Sequence, residues 1–261
     1  MLRDKRLLVT GVATADSIAF AIARHSHALG ARVALTAFPR DIEATRELAR
    51  SIAPDIEVWA LDLTDVQQID EVTGLASERL GGLDGAVHAV AFAPRAALGG
   101  PLTAAAPGDV ELAFRSSTWT MAGLARILAA LAPPSGGSLV GLDFDSARAW
   151  PVYHWMGVCK AALRSTAQYL ARDLGGAGIR VNLVAAGPLH TRAAGGIPGF
   201  DRLLDAWATT APLPWDPHDP APIADAACFL LSDMARAVTG EVLHVDGGHH
   251  AMAAPLRTAE P

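Results

Sequence analysis

Residues 138–165 read SLVGLDFDSARAWPVYHWMGVCKAALRS, and the way this stretch divides decides the fold. Ser138 to Leu142 is a short apolar run, as in a buried strand, and Asp143-Phe144-Asp145-Ser146 reads as the polar turn that closes it. Pro151 suits a first helical turn, and few breakers follow before about Leu174. Tyr153 and Lys160 lie seven residues apart on that helix. Seven steps of 100° make roughly 700°, which returns to within about 20° of the starting direction. Phenol and ammonium therefore share one face, two turns and roughly 10 Å apart along the axis.

The chain holds only two tyrosines, Tyr153 and Tyr169, and only two lysines, Lys5 and Lys160. An ammonium is a compact, rotatable donor that can lower a neighbouring phenol's pKa, whereas guanidinium is a rigid fork. A chain that uses arginine almost everywhere, yet sets lysine beside a rare tyrosine, points to chemistry at that pair. A solvent-facing lysine aligned by chance with an interfacial tyrosine has the same spacing, so the rest of the chain must decide.

Outward from this stretch, short apolar strands alternate with longer helical patterns, as a parallel sheet with crossover helices requires. Strands are expected at 7–9, 32–36, 56–61, 85–90, 138–142, 180–184 and 242–245, with helices at 17–29, 41–51, up to Leu80, and 110–131. No linker or repeat interrupts the series. The expected fold is α/β: a Rossmann-like, doubly wound parallel sheet in three α/β/α layers, forming one domain over residues 1–261. Half the residues are hydrophobic, so a large core is available, and the net charge is −6. No basic run, arginine–aromatic stripe or zinc-ligand spacing occurs, which argues against nucleic acid and metal. No segment approaches about 20 uninterrupted apolar residues, and the N-terminus has no signal core. Two cysteines make no disulfide framework. A soluble cytoplasmic protein with no membrane partner is the expectation.

Four further places bear on a ligand. The first strand ends at Gly11, and a helix starting near Ser17 would offer free backbone N–H groups to a pyrophosphate, although a single glycine is not the G-x-G-x-x-G fingerprint. Phe38, past the second strand where an acidic residue would hold a ribose 2′-hydroxyl, is either an adenine cover or a core residue. Asp62, past the third strand, is either at the ligand edge or a turn residue. Finally, residues 191–211 carry Gly195-Gly196 and Pro198-Gly199 before Phe200, Leu203, Leu204 and Trp207, one apolar helical stripe. That stripe is either a core helix or a mobile lid over an apolar ligand. His249 and His250 lack partners at metal spacing and read as exposed.

Together these features resemble the NADH-dependent enoyl-acyl-carrier-protein reductases of the short-chain dehydrogenase superfamily, over nearly the whole chain. Three matches carry the resemblance: Gly11 with five residues before Ser17-Ile18-Ala19, Tyr153-x6-Lys160 rather than Tyr-x3-Lys, and Thr239-Gly240 to Val245-Asp246-Gly247-Gly248. The run VGLDFDSARAWPVYHWM is most similar to the mycobacterial branch, with Phe144 where other branches have tyrosine.

The resemblance implies reduction of the 2,3 double bond of 2-enoyl thioesters, on acyl-carrier protein or CoA, in fatty acid or related acyl-chain biosynthesis. It also implies a homotetramer. Tyr153 would hydrogen-bond the thioester carbonyl, Lys160 would bind the nicotinamide ribose, and Phe144 would wall the acyl site. Gly11, Ser17, Ile18 and Thr191 would border the pyrophosphate, Asp62 and Leu63 the adenine, Phe38 its face, and Val90 and Leu189 the nicotinamide. Ala93, Tyr153, Phe200, Leu204 and Trp207 would contact substrate. NADH is expected over NADPH. His88-Ala89-Val90-Ala91 departs from the family's usual His-Ser-Ile-Gly. A short-chain reductase acting on a carbonyl, or a catalytically idle nucleotide-binding paralogue, are the alternatives.

Overall fold

The computed structural model describes residues 1–256. Seven strands form one sheet: β1 (Arg6–Thr10), β2 (Arg32–Ala37), β3 (Glu57–Ala60), β4 (Gly85–His88), β5 (Gly137–Asp143), β6 (Ile179–Ala186) and β7 (Val242–Val245). Their order is β3-β2-β1-β4-β5-β6-β7, and every pairing is parallel. The order reverses between β1 and β4, the switch point where such sheets open a crevice beyond their carboxyl ends.

The helices are α1 (Ile18–Ala28), α2 (Ile42–Ile52), α3 (Val66–Leu80), α4 (Pro107–Phe114), α5 (Thr120–Leu131), α6 (His154–Leu174), α7 (Arg192–Gly195), α8 (Asp201–Thr210) and α9 (Ala221–Leu231). Two cores flank the sheet, and strand residues alternate between them as the pleat demands. Leu7, Val9, Leu35, Val87, Val140 and Val184 face α1 and α9, burying Phe20, Ile22, Ile223 and Leu230. Leu8, Ala34, Ala86, Leu139 and Leu183 face the other way, against Ile69 and Val72 of α3, Leu124 and Leu128 of α5, and Leu163 of α6. Helices therefore cover both faces of one parallel sheet, as expected.

Three local expectations are corrected. Pro151 does not open α6: residues 151–153 form a turn, with Val152 at φ +61° and His154 at φ +42°. The helix expected at 110–131 is interrupted by a π-helical segment, Arg115–Trp119, between α4 and α5. There the Thr118 hydroxyl donates to the Cys159 carbonyl at 2.9 Å, and Ser117 Oγ bridges the Phe92 N–H and carbonyl at 2.9 Å each. Asp143 and Phe144 are no surface turn either. Asp143 is the last residue of β5, and both are buried.

Candidate active site

A third apolar cluster sits beyond the carboxyl edge of the sheet and joins Phe144, Tyr153, Met156, Leu203 and Trp207. Tyr153 enters it because the left-handed turn at Val152 swings the chain inward just before α6. A β-branched residue at positive φ is strained, at about 1–3 kcal/mol. The ring of Tyr153 lies 4.9 Å from Phe144, and Phe144 lies 5.3 Å from Trp150 and 5.5 Å from Trp207. Burial pushes the Tyr153 phenol up, and the Asp143 carboxylate pushes it further, so it stays protonated at neutral pH as a hydrogen-bond donor.

Two turns further along α6, Lys160 is 6% exposed, and Nζ donates to the Leu142 carbonyl at 2.6 Å. Burial pulls the ammonium down, while Asp143 and Cys159 push it back up. Asp143 itself is pushed up to about 6 by burial, against the pull of Lys160. His88, at the end of β4, is buried and pulled down to about 3 by burial and by Lys160. It is therefore a neutral imidazole, with Nε2 2.9 Å from Thr120 Oγ1.

At the switch point, Gly11 adopts φ +79°, and a Cβ there would fall 2.2 Å from the Ala89 carbonyl oxygen. Only glycine fits, and the loop backbone is left bare for close approach by a diphosphate. Ser17 caps α1, accepting from the Phe20 N–H at 3.2 Å and donating to the Thr14 carbonyl at 2.8 Å. Ile18 is the first residue of that helix, whose positive N-terminal end suits an anion. Val90 packs beside Gly11, and Leu189 is buried past β6. Thr191 caps α7 by accepting from the Ala194 N–H. The Asp16 carboxylate accepts from the Arg192 N–H at 2.9 Å, tying this loop to the segment after β6. These residues fit a dinucleotide laid across the carboxyl edge.

At the outer strands, Phe38 is half-buried with the Arg40 guanidinium 5.1 Å over its ring. Asp62 Oδ1 accepts from the Thr64 N–H and hydroxyl at 2.8 Å each, so its side chain closes a turn. Leu63 is buried against Gly123.

A cavity of about 480 Å³ is lined by Asp16, Thr191, Ile197 and Phe200, among others. It brings Thr191 and Phe200 together but does not include Tyr153 or Lys160. The stripe on α8 divides: Leu203 and Trp207 are buried, Phe200 and Leu204 only half so, and Ala93 is buried in the same cluster. Trp207 Nε1 donates to the Asp246 carbonyl at 3.0 Å.

His249 overturns the reading of an exposed pair. It is buried and stacks on Trp207 at 3.9 Å, while His250 Nδ1 lies 3.0 Å from Asp246. Sequence reasoning also passed over Trp150, which stands 5.0 Å from Trp207, and Trp215, whose Nε1 donates to the Pro188 carbonyl at 2.8 Å. No local sequence signal marks either one: Trp215 meets Gly187, where a Cβ would fall 2.7 Å from its ring, only once the chain has folded.

Among the described residues, no helix is long and apolar enough to cross a membrane, and no group of three or more His, Cys, Asp or Glu could hold a metal ion. Comparison with protein families matches residues 11–250 to the one described as enoyl-(acyl carrier protein) reductase. The NADH enoyl-[acyl-carrier-protein] reductase of Mycolicibacterium smegmatis is 37% identical, over 95% of this chain and 97% of its own. That of Mycobacterium avium is 36% identical over 95% and 97%, and that of Aquifex aeolicus 37% over 97% and 93%. With the match running nearly end to end on both sides, the chain belongs to the enoyl-(acyl carrier protein) reductase family.

Proposed function

We propose that the protein reduces the 2,3 double bond of 2-enoyl thioesters, carried on acyl-carrier protein or CoA, with NADH as the reductant. One observation carries the reading: Tyr153, buried at the N-cap of α6, and Lys160, buried within that helix, both sit at the carboxyl edge of the sheet. NADH, when bound, supplies the hydride for the β-carbon. Lys160 would hold its nicotinamide ribose, Val90 and Leu189 would border the nicotinamide, and Gly11, Ser17, Ile18 and Thr191 the pyrophosphate. Asp62, Leu63 and Phe38 would take the adenine end.

Tyr153 donates its O–H to the thioester oxygen, where negative charge develops, and a positioned donor there is worth about 3–4 kcal/mol. Burial keeps that proton on the phenol until the transition state draws on it. Phe144, 4.9 Å away, walls the acyl side and excludes water. Ala93, Phe200, Leu204 and Trp207 are proposed to complete the acyl site, with residues 191–211 as its lid on a single-domain scaffold.

A homotetramer in the cytoplasm fits this reading. Phe114, Trp119 and Val158 are 41–45% exposed on the helical elements around α4 and α6, an apolar surface suited to a second copy. Following NADH consumption with a 2-enoyl thioester beside a 3-oxoacyl thioester tests the activity. Turnover of the 3-oxoacyl compound alone would replace it with carbonyl reduction. Light scattering on the eluting protein tests the assembly.

A further inference from the structure

Residues 191–199 have little of their own to hold them in place. Ala194 is the one buried side chain among them, and Gly195, Gly196 and Gly199 contribute none. Segments with so few buried contacts open at the lowest cost. Their hydrogen bonds are local. The Ala194 N–H reaches Thr191 Oγ1 at 3.2 Å, and the Gly196 and Ile197 N–H groups reach the Ala193 and Ala194 carbonyls at 3.2 and 2.9 Å. Among the described residues, one hydrogen bond ties this segment to a distant part of the chain. The Arg192 N–H donates to the Asp16 carboxylate at 2.9 Å.

Both ends of that bond belong to the proposed cofactor site. Asp16 directly precedes Ser17, the cap of α1, and Arg192 directly follows Thr191, the cap of α7. Asp16, Thr191 and Arg192 line the same cavity of about 480 Å³.

We infer that Asp16 is a positioning residue for the dinucleotide: its carboxylate oxygen fastens α7, and with it Thr191, to the loop that carries Ser17. Asp16 acts on NADH only if the proposed function holds; its hold on α7 does not depend on it. A turn ordered in advance spares the binding energy that ordering it would consume.

A carboxylate just outside α1 also favours the positive end of that helix, and it would repel a bound diphosphate. Asparagine separates these effects from the bond. Asp16→Asn keeps an acceptor oxygen and loses the charge, whereas Asp16→Ala loses both. The two variants are equally uncharged, so a difference between them reports the hydrogen bond.

Hydrogen exchange of the backbone amides, followed by mass spectrometry without NADH or substrate, tests the fastening. Exchange over residues 191–199 is expected to be about tenfold faster in Asp16→Ala than in Asp16→Asn, and equal rates overturn the assignment. Arg192→Pro removes the donor from the other side. Thr191 has φ −126° and ψ 161°, which a following proline tolerates, and proline suits the first position of a helix. On that background Asp16→Ala and Asp16→Asn are expected to exchange alike, because the bond is already absent. A difference that persists overturns the assignment. Should Asp16→Ala fail to fold, Arg192→Pro beside wild type decides, and unchanged exchange over residues 193–199 overturns it.

NADH titration by fluorescence reads the consequence. Asp16→Ala is expected to bind about fivefold more weakly than Asp16→Asn, with the difference in turnover falling on KM for NADH and not on kcat at saturation. Equal affinities in an active enzyme overturn the positioning role alone. A wild type that binds no NADH refutes the proposed function, and the dinucleotide role with it, while the exchange result stands.

Discussion

Trp207→Ala separates two roles for the same side chain, core anchor and end of the acyl site. The indole is 2% exposed and stacks on His249 at 3.9 Å, with Trp150 at 5.0 Å and Phe144 at 5.5 Å. Truncating a buried tryptophan costs about 3–5 kcal/mol. The Asp246 carbonyl also loses the donor it meets at 3.0 Å, adding about 1 kcal/mol. A loss of about 5 kcal/mol in all corresponds to a fall of roughly 10–20 °C in Tm for a chain of this size. Circular-dichroism melts measure it, and a Tm within about 3 °C of wild type would refute the burial argument. The vacated space lies behind Phe144, so longer acyl chains should enter it. Two further methylenes, at about 0.8 kcal/mol each, amount to roughly fifteenfold. The ratio of kcat/KM for long over medium enoyl thioesters is therefore expected to rise about tenfold or more at a temperature where the variant stays folded. Wild type is expected to favour short or medium chains. A lower Tm with the length profile unchanged would show that α8 is scaffold, and the assignment of Trp207 to the acyl site would fall.

Three other perturbations address the reaction and its cofactor. Tyr153→Phe is expected to lower kcat for 2-enoyl thioesters at least tenfold with NADH affinity nearly unchanged; an unchanged kcat, with chemistry rate-limiting, would remove the phenol from the mechanism. Lys160→Arg keeps the charge but cannot fit a planar fork where Nζ sits 2.6 Å from the Leu142 carbonyl, so NADH affinity should fall about tenfold or more. Equal affinity by titration would rule out the assigned role. NADH should be preferred over NADPH, since Phe38 is apolar and the Arg40 guanidinium is stacked on its ring. Comparing kcat/KM for the two cofactors checks this, and an NADPH preference refutes it.

What was legible in the sequence was whatever repeats with a fixed period or sits at a fixed spacing. Alternating apolar strands and amphipathic helices place all seven strands, because burial on both faces leaves continuous apolar runs. The seven-residue interval marks Tyr153 and Lys160 as a pair, although the helix expected to carry both begins at His154 and leaves Tyr153 at its N-cap. The illegible parts run against local propensity. Pro151-Val152-Tyr153 looks like a helix start, yet tertiary packing holds Val152 at φ +61° and delays the helix to His154. The π turn at Arg115–Trp119 hides within a good helical pattern, and it is fixed by Thr118 bonding to α6, a partner distant in sequence.

The same distinction explains His249 and Asp143. A histidine pair near the C-terminus and a carboxylate after a strand both look like surface residues until the chain closes over them. His249 is covered by Trp207, 42 positions away, and Asp143 is buried at the end of β5. Segments that violate local rules and still persist must be held by their surroundings. In this protein the strained turn immediately precedes Tyr153, and the π segment bonds the Cys159 carbonyl, next to Lys160. That convergence at the candidate site is an argument for function that spacing alone does not supply, because a chance alignment of tyrosine and lysine would need none of it.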